Sequence, residues 1–148
     1  MKNSFTAPSK NIQILEDNNL YLYKKKDDVA VKKVEKWLRQ YHLSYELITP
    51  KTIDKVTIYQ MLSCSSMGFS ELLVSKIKAE KIWQCHPRIE MDRTTVSEMV
   101  KEILIDPFLL RSPILFDEEK LLAGYNSEEI RKFIPKYYRL IEKEIALN

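Results

Sequence analysis

Cys64 and Cys85 are the side chains of this chain with the clearest capacity for nucleophilic or redox chemistry. They lie 21 residues apart and no CxxC pair occurs, so the sequence shows neither a disulfide framework nor zinc-site spacing. His86 and Asp92, near Cys85, also lack metal-site spacing, and we expect no metal. Both thiols are expected to be ordinary apolar or surface groups. An enzyme that uses Cys64 or Cys85 as its nucleophile is the alternative.

The 148 residues include only two glycines, Gly68 and Gly124. A Walker P-loop and a Rossmann GxGxxG motif both need clustered glycines, so nucleotide enzymes of these two kinds are excluded. Gly68 stands in CSSMGFSE between two predicted helices, where the usual role of glycine is a left-handed cap.

The charge balance is nearly even, with 24 Lys and Arg against 21 Asp and Glu and a formal net charge of +3. Nucleic-acid binders concentrate more positive charge on one face, so direct DNA binding is not expected. The N-terminal segment lacks the apolar core of a secretory signal, and no apolar run approaches the roughly 20 residues of a membrane helix. We therefore expect a soluble cytoplasmic protein with no membrane association.

The first part of the chain has the pattern strand, helix, strand. Leu20–Tyr23 is aromatic and apolar and predicts a strand, and the charge run KKKDD follows it. Asp27 or Asp28 can cap the next helix by accepting backbone N–H bonds. In that helix, apolar residues recur at helical spacing: Val31, Val34, Leu38 and Tyr41. A second strand is predicted over Ser44–Ile48, and the length of the connection indicates a parallel pair.

Three helices and a hairpin follow. The helices are predicted over Ile53–Ser63, Ser70–Lys81 and Val96–Ile105. The hairpin strands are predicted over Pro113–Asp117 and Lys120–Tyr125. Thr95 and Glu98 form a capping box at the third helix, and Asn126 and Glu129 suggest another cap after the hairpin. Lys136–Leu147 predicts a terminal helix.

This order predicts an α/β fold, a thioredoxin-like mixed sheet with a helical insertion. A βαβ half and a ββα half surround the inserted helices. We expect one domain over residues 19–148, with the insertion at about 52–106. Residues 1–18 are polar and mostly aperiodic, and we expect them to be a flexible extension.

Three segments resemble the Spx/ArsC family. Leu109–Pro135, LLRSPILFDEEKLLAGYNSEEIRKFIP, is similar to the C-terminal signature of that family. Ile58–Lys76, IYQMLSCSSMGFSELLVSK, resembles the segment with a glycine in the helical insert. The stretch that begins LYLYKKKDD resembles the first strand, the CxxC turn and the first helix. The resemblance covers about residues 20–135 and implies the same thioredoxin-like fold.

The family divides into arsenate reductases and Spx-type transcription regulators, and the resemblance implies where their thiols lie. Reductases need a nucleophilic cysteine at the start of the first helix, and Spx proteins usually carry a CxxC redox switch there. Those two positions hold Asp28 and Val31 in this chain. We therefore expect neither arsenate reduction nor a CxxC switch, and no cofactor.

The resemblance also implies remnants of the anion site of the reductases. Lys76 stands where the family has an arginine, and it can attract an anion but cannot bind it bidentately. Arg111 is retained, while the second arginine of the Spx motif is Ser112. Pro113 is implied to be the cis-proline that precedes the third strand.

A protein partner is implied as well, the C-terminal domain of the RNA polymerase α subunit. The interface glycine of the family is Gly68, flanked by the apolar residues Met67 and Phe69, and an arginine that Spx proteins carry five residues earlier is Ser63. DNA is then reached only indirectly, through polymerase. Lys24–Lys26 is expected to be a solvated loop, with approach to DNA phosphates as the alternative.

The expected function is therefore that of a non-enzymatic, Spx-like transcription regulator. One alternative is an adaptor or decoy of the same fold that acts through a proteolytic or other protein partner. Another is a thiol-dependent reductase. The ending Ala146-Leu147-Asn148 is similar to the one through which Spx proteins reach an ATP-dependent protease, so that protease or its adaptor is a further candidate partner.

Overall fold

The computed structural model describes residues 19–74, 95–136 and 138. The strands are β1 (Tyr21–Tyr23), β2 (Glu46–Ile48), β3 (Ile114–Phe116) and β4 (Leu121–Ala123). The α-helices are α1 (Val29–Gln40), α2 (Lys55–Cys64), α3 (Phe69–Leu72) and α4 (Val96–Ile105). Two 3-10 helices span Pro107–Leu109 and Glu129–Phe133. Within these described residues, no helix is long and apolar enough to cross a membrane.

The four strands form one mixed sheet in the order β2-β1-β3-β4. β1 pairs with β2 in parallel, with Leu22 opposite Leu47, and α1 forms the connection between them. The pairs β1–β3 and β3–β4 are antiparallel, and Tyr23 lies opposite Ile114. The predicted α/β class, parallel pair and hairpin are therefore confirmed.

Alternation along the strands divides the core between the two faces of the sheet. Leu22 and Leu115 belong to one apolar cluster, together with residues of α1 and the second 3-10 helix. Tyr23 and Phe116 belong to the other cluster, together with residues of α2, α3 and α4. α1 and α2 therefore pack on opposite faces of the sheet.

Helices α1 and α4 form where spacing and caps predict them. Val31, Val34 and Leu38 of α1 are fully buried, which is the apolar stripe expected from the sequence. At α4, the Thr95 Oγ1 accepts the Glu98 N–H at 3.2 Å, and the Glu98 carboxylate accepts the N–H and hydroxyl of Thr95. The predicted capping box is confirmed.

The prediction of a helix over Ser70–Lys81 is wrong within the described residues. α3 ends at Leu72, and Leu73 is extended, with φ −85° and ψ 152°. Leu73 forms an isolated antiparallel bridge with Leu110, a residue distant in sequence. This non-local backbone pairing outweighs the apolar periodicity, because a short apolar run suits an extended segment as well as a helix.

The segment after Asn126 is a 3-10 helix, Glu129–Phe133, where the cap pattern predicts an α-helix. Asn126 does cap it, since its Oδ1 accepts the backbone N–H groups of Glu128 and Glu129 at 2.9 Å. Pro135 disfavours helical geometry at the residue before it, so the turn stays short. The terminal helix predicted over Lys136–Leu147 lies almost entirely outside the described residues.

Candidate functional site

The start of α1 is closed by its own N-cap. Asp28 has an extended backbone, with φ −87° and ψ −178°, and its Oδ1 accepts the backbone N–H of Val31 at 2.9 Å. Val31 points into the core and is fully buried. The structure thus joins the two predicted redox positions by a helix-capping hydrogen bond, and neither carries a thiol.

The loop before α1 is anchored through its lysines. Lys24 Nζ lies 2.7 Å from the Asp27 carboxylate and 3.3 Å from that of Glu35. The hydrogen bond with Asp27, assisted by Glu35, raises the pKa of Lys24, and Lys24 lowers the pKa of Asp27. Lys25 Nζ donates to the Phe108 carbonyl at 2.8 Å. The loop stays at the surface, as expected, and Lys24 and Lys25 are held there by contacts within the fold.

The loop before β3 meets both the α1 loop and the helical insertion. The Ser112 Oγ accepts the backbone N–H of Lys25 at 3.0 Å, and the Ser112–Pro113 peptide bond is cis, as the resemblance implies. Arg111 Nε donates to the Leu73 carbonyl at 2.7 Å. The Nε of this guanidinium is therefore already hydrogen-bonded to a backbone carbonyl. An anion-binding role for Arg111 stays a prediction.

Cys64 lies at the far end of the sheet from Asp28. It is the last residue of α2, and its Sγ donates to the carbonyl of Asp117, just after β3, at 3.3 Å. Because β1 and β3 are antiparallel, the end of β3 lies beside the start of β1, whereas α1 follows the end of β1. The fold therefore keeps the Cys64 thiol away from the start of α1.

Other candidate residues fall outside the described part of the chain. They are Lys76, Cys85, His86 and Asp92. Across residues 19–74 and 95–136, no three His, Cys, Asp or Glu side chains converge on a position that could hold a metal ion.

Gly68 is a helix start, not a helix end. It occupies the N-cap of α3 with φ 65° and ψ −141°, a backbone region essentially reserved for glycine. The C-cap of α2 is Ser65, which is extended. Gly68 is thus a cap with positive φ between two helices, as expected, and it caps the start of α3 and not the end of α2.

The side chains around Gly68 differ in exposure. Met67 is 72% exposed, and Ser63 is exposed with its hydroxyl bonded to the Gln60 carbonyl at 2.7 Å. Phe69 is half-buried and packs against the core. Met67 and Ser63 are therefore available to a partner, while Phe69 mainly anchors the loop.

Glu71 holds the Gly68 loop together, a role that the sequence analysis missed. Its Oε1 accepts the backbone N–H groups of Ser66 and Met67 at 2.9 and 3.1 Å. The Gly68 N–H donates to the Oγ of Ser65 at 3.1 Å. Glutamate at the third helical position is a capping signal, so the spacing from Gly68 to Glu71 was available in the sequence.

The chain is similar to proteins named for transcription regulation. The ArsC family matches residues 23–133. A "Global transcriptional regulator Spx" of Lactiplantibacillus plantarum is 30% identical over 125 residues, covering 82% of this chain and 90% of the relative. "Global transcriptional regulator Spx 1" of Bacillus cereus is 27% identical over 125 residues, covering 82% and 91%.

Solved structures share the fold at lower identity. An ArsC family related protein from Bacteroides fragilis has a TM-score of 0.62 at 14% identity, covering 77% of this chain and 96% of that one. A protein of Staphylococcus aureus solved by NMR has a TM-score of 0.63 at 16% identity, covering 76% and 96%. These likenesses confirm the predicted thioredoxin-like fold with its mixed sheet. With the match over residues 23–133, they show that the chain belongs to the ArsC family.

Proposed function

We propose that this protein is a non-enzymatic transcription regulator of the Spx type that binds the C-terminal domain of the RNA polymerase α subunit through the surface around Gly68. Bound there, it blocks some activators and redirects polymerase to other promoters. The similarity to regulators named Spx, which extends over 90% of the Lactiplantibacillus plantarum relative, supports the transcriptional part of the proposal.

The start of α1 supports the non-enzymatic part. The amides at a helix N-terminus stabilise a thiolate or a bound anion in enzymes of this design. Here the Asp28 carboxylate accepts the Val31 N–H, and its negative charge repels a second anion. Arg111, the described candidate for anion binding, has its Nε bonded to the Leu73 carbonyl.

The observation that carries the proposal is the open and ordered surface at Gly68. A Cβ built on Gly68 has no atom within 4 Å, and the neighbouring Met67 is 72% exposed. Glu71 fixes the loop backbone through two hydrogen bonds. A loop that is already ordered loses less conformational freedom when it binds, and this favours affinity.

Calorimetric titration of the purified chain with the isolated polymerase α C-terminal domain tests the proposal. Gly68→Arg places a long charged side chain on the surface and is expected to abolish binding. Gly68→Ala is the matched control, because it introduces the same backbone strain at φ 65° without the length and charge. Urea unfolding establishes that both variants remain folded.

Binding by the wild-type chain and by Gly68→Ala, but not by Gly68→Arg, is the expected result. A wild-type chain that fails to bind, or a Gly68→Arg variant that binds equally well, contradicts the proposal. A pull-down dominated by protease components would then favour the adaptor or decoy function.

A further inference from the structure

We propose that the outer face of α1 binds the phosphate backbone of double-stranded DNA. This face, called the α1 basic face here, is made of Lys32, Lys36 and Arg39. The binding is weak and independent of base sequence, and it adds a DNA contact when the protein is held near a promoter. The choice of DNA rests on the proposed function, under which the protein acts at promoters.

The three basic side chains share one side of α1. Each residue of an α-helix advances about 100° around the axis, so Lys32, Lys36 and Arg39 fall within an arc of about 60°. All three are exposed. The buried apolar stripe of α1 lies on the opposite side of the helix and packs against the sheet. The α1 basic face is therefore turned to solvent.

The carboxylates nearest to the α1 basic face in sequence have other partners. Glu35, the only acidic residue of α1, accepts hydrogen bonds from Lys24 at 3.3 Å and from the Tyr45 hydroxyl at 3.2 Å. Asp27, in the preceding loop, is bonded to Lys24 at 2.7 Å. Among the residues that the structure describes, none forms an ion pair with a cation of this face. The formal net charge of +3 does not reveal the face, because it averages the whole chain.

The length of the α1 basic face matches the charge spacing of a DNA duplex. Because an α-helix rises about 1.5 Å per residue, Lys32 and Arg39 are separated by about 10 Å along the axis of α1. Each strand of B-DNA carries one phosphate about every 3.4 Å of its axis, so about three phosphates of a strand lie along that span. The three cations therefore suit three consecutive phosphates.

The chemistry of this face favours phosphates over a protein or a membrane. The centres of protein interfaces are depleted of lysine and enriched in aromatic residues, whereas the one large apolar side chain exposed on α1 is Val29. A helix that lies on a membrane inserts its apolar side, and the apolar side of α1 is buried against the sheet. Exposed basic side chains without an apolar centre are typical of contacts with the DNA backbone, which carry no sequence information.

The α1 basic face and the Gly68 loop lie on opposite sides of the molecule. α1 packs on the sheet face that holds Leu22 and Leu115, whereas α2 and α3 pack on the other face. The polymerase domain and DNA can therefore be bound at the same time. Non-specific dissociation constants for DNA lie at roughly 10⁻⁴–10⁻⁶ M. A protein tethered beside a promoter meets the DNA at an effective concentration of about 1 mM, so weak contacts are occupied there.

Fluorescence anisotropy of a labelled DNA duplex, titrated with the purified chain at several salt concentrations, tests the inference. The wild-type chain should give a slope of log K against log salt of about −3, as expected for three neutralised phosphates. Lys32→Gln with Lys36→Gln should weaken binding about tenfold or more at low salt and make the slope shallower by about two.

Lys51→Gln with Lys55→Gln is the matched control. These two lysines are also exposed and four positions apart, and they lie in and just before α2, away from α1. Their replacement changes the net charge by the same amount, and DNA binding is expected to stay at the wild-type value. Glutamine and lysine have similar helix propensities, and urea unfolding verifies that both double variants are folded.

Weaker binding and a shallower slope in the α1 double variant alone support the α1 basic face. Equal weakening in both double variants would assign the binding to net charge and overturn it, as would a wild-type chain that does not bind DNA at low salt. Tighter binding to phosphatidylserine vesicles than to DNA, or displacement from DNA by polyglutamate at an equal concentration of charge, would overturn DNA as the partner. The proposed function is tested separately, because Gly68→Arg should abolish binding to the polymerase domain without weakening binding to DNA.

Discussion

The carboxylate of Asp28 accepts a hydrogen bond from the backbone N–H of Val31 at 2.9 Å, so the two positions that the resemblance assigns to a CxxC pair are joined as a helix cap. A thiolate at this place would rely on the same helix N-terminus for its stabilisation. The Asp28 carboxylate satisfies one of the amides that a thiolate at this position would use.

Loss of this cap is expected to destabilise the fold. Asp28→Ala leaves the Val31 N–H without its side-chain acceptor and should lower the free energy of unfolding by about 1 kcal/mol, while Asp28→Ser, which retains a capping oxygen, should lose less. Urea unfolding of the three proteins measures the difference. Equal stability of Asp28→Ala and the wild type would show that the cap contributes nothing.

Binding to the polymerase domain is expected to be insensitive to mild oxidation. Cys64 lies at the far end of the sheet from the start of α1, and its Sγ is bonded to the Asp117 carbonyl. Titration before and after treatment with a mild oxidant should give the same affinity for the wild-type chain, and a cysteine-free chain with Cys64 and Cys85 replaced by serine is the control. A loss of affinity on oxidation in either chain would contradict the prediction.

A positive control for oxidation can be made from the same cysteine-free chain. Asp28→Cys with Val31→Cys places two thiols at the start of α1, where the helix N-terminus favours the thiolate. We expect the thiol introduced at position 28 to react faster with an alkylating reagent than Cys64 does in the wild-type chain, and the thiol introduced at the buried position 31 to react slowly. Alkylation followed by mass spectrometry measures the rates.

Arg111 is expected to stabilise the helical insertion. Its Nε donates to the Leu73 carbonyl at 2.7 Å, and lysine cannot reproduce the planar geometry. Arg111→Lys should lower the free energy of unfolding by about 1.5–3 kcal/mol, the contribution of a hydrogen bond to a charged group. Arg39→Lys, at an exposed position in α1, should change it by less than about 0.5 kcal/mol. Stabilisation by phosphate in the wild type but not in Arg111→Lys would instead support an anion-binding role.

Tyr23 makes the fold sensitive to alkaline pH. Burial raises the pKa of Tyr23 above its ordinary value of 10.0, and the nearby Asp106 carboxylate raises it further. Because the folded pKa is the higher one, this stability is complete below pH 10.0 and is lost as the pH rises toward the folded pKa. Urea unfolding above pH 10.0 should therefore show a shallower loss of stability in Tyr23→Phe than in the wild type.

Lys24 also loses stabilisation at alkaline pH, because its pKa is raised above 10.5 by Asp27 and Glu35. Equal slopes in Tyr23→Phe and the wild type would assign the alkaline effect to Lys24 and contradict the role of Tyr23.

The sequence by itself determined the elements whose signals are local. The apolar stripe of α1, the capping box at Thr95 and the hairpin strands follow from spacing within a few residues, and all are present. The resemblance assigns the two CxxC positions to Asp28 and Val31, and the sequence itself shows that neither residue is a cysteine. Local patterns suffice where a structure depends on neighbours along the chain.

Only the tertiary structure decided which distant residues meet. Lys25 and Ser112 are 87 residues apart in sequence, and the hydrogen bond of 3.0 Å between the Lys25 N–H and the Ser112 Oγ anchors the charged loop to the loop before β3. Leu73 lies outside the helix predicted for it and pairs with Leu110. Val56 and Tyr59 are exposed on α2 because Ile58 and Met61 of that helix face the core. These outcomes depend on strand order, register and helix placement. The sequence alone could not predict them, because the assembled fold sets non-local strand pairing, and this pairing overrides the local preference of a segment for helix or strand.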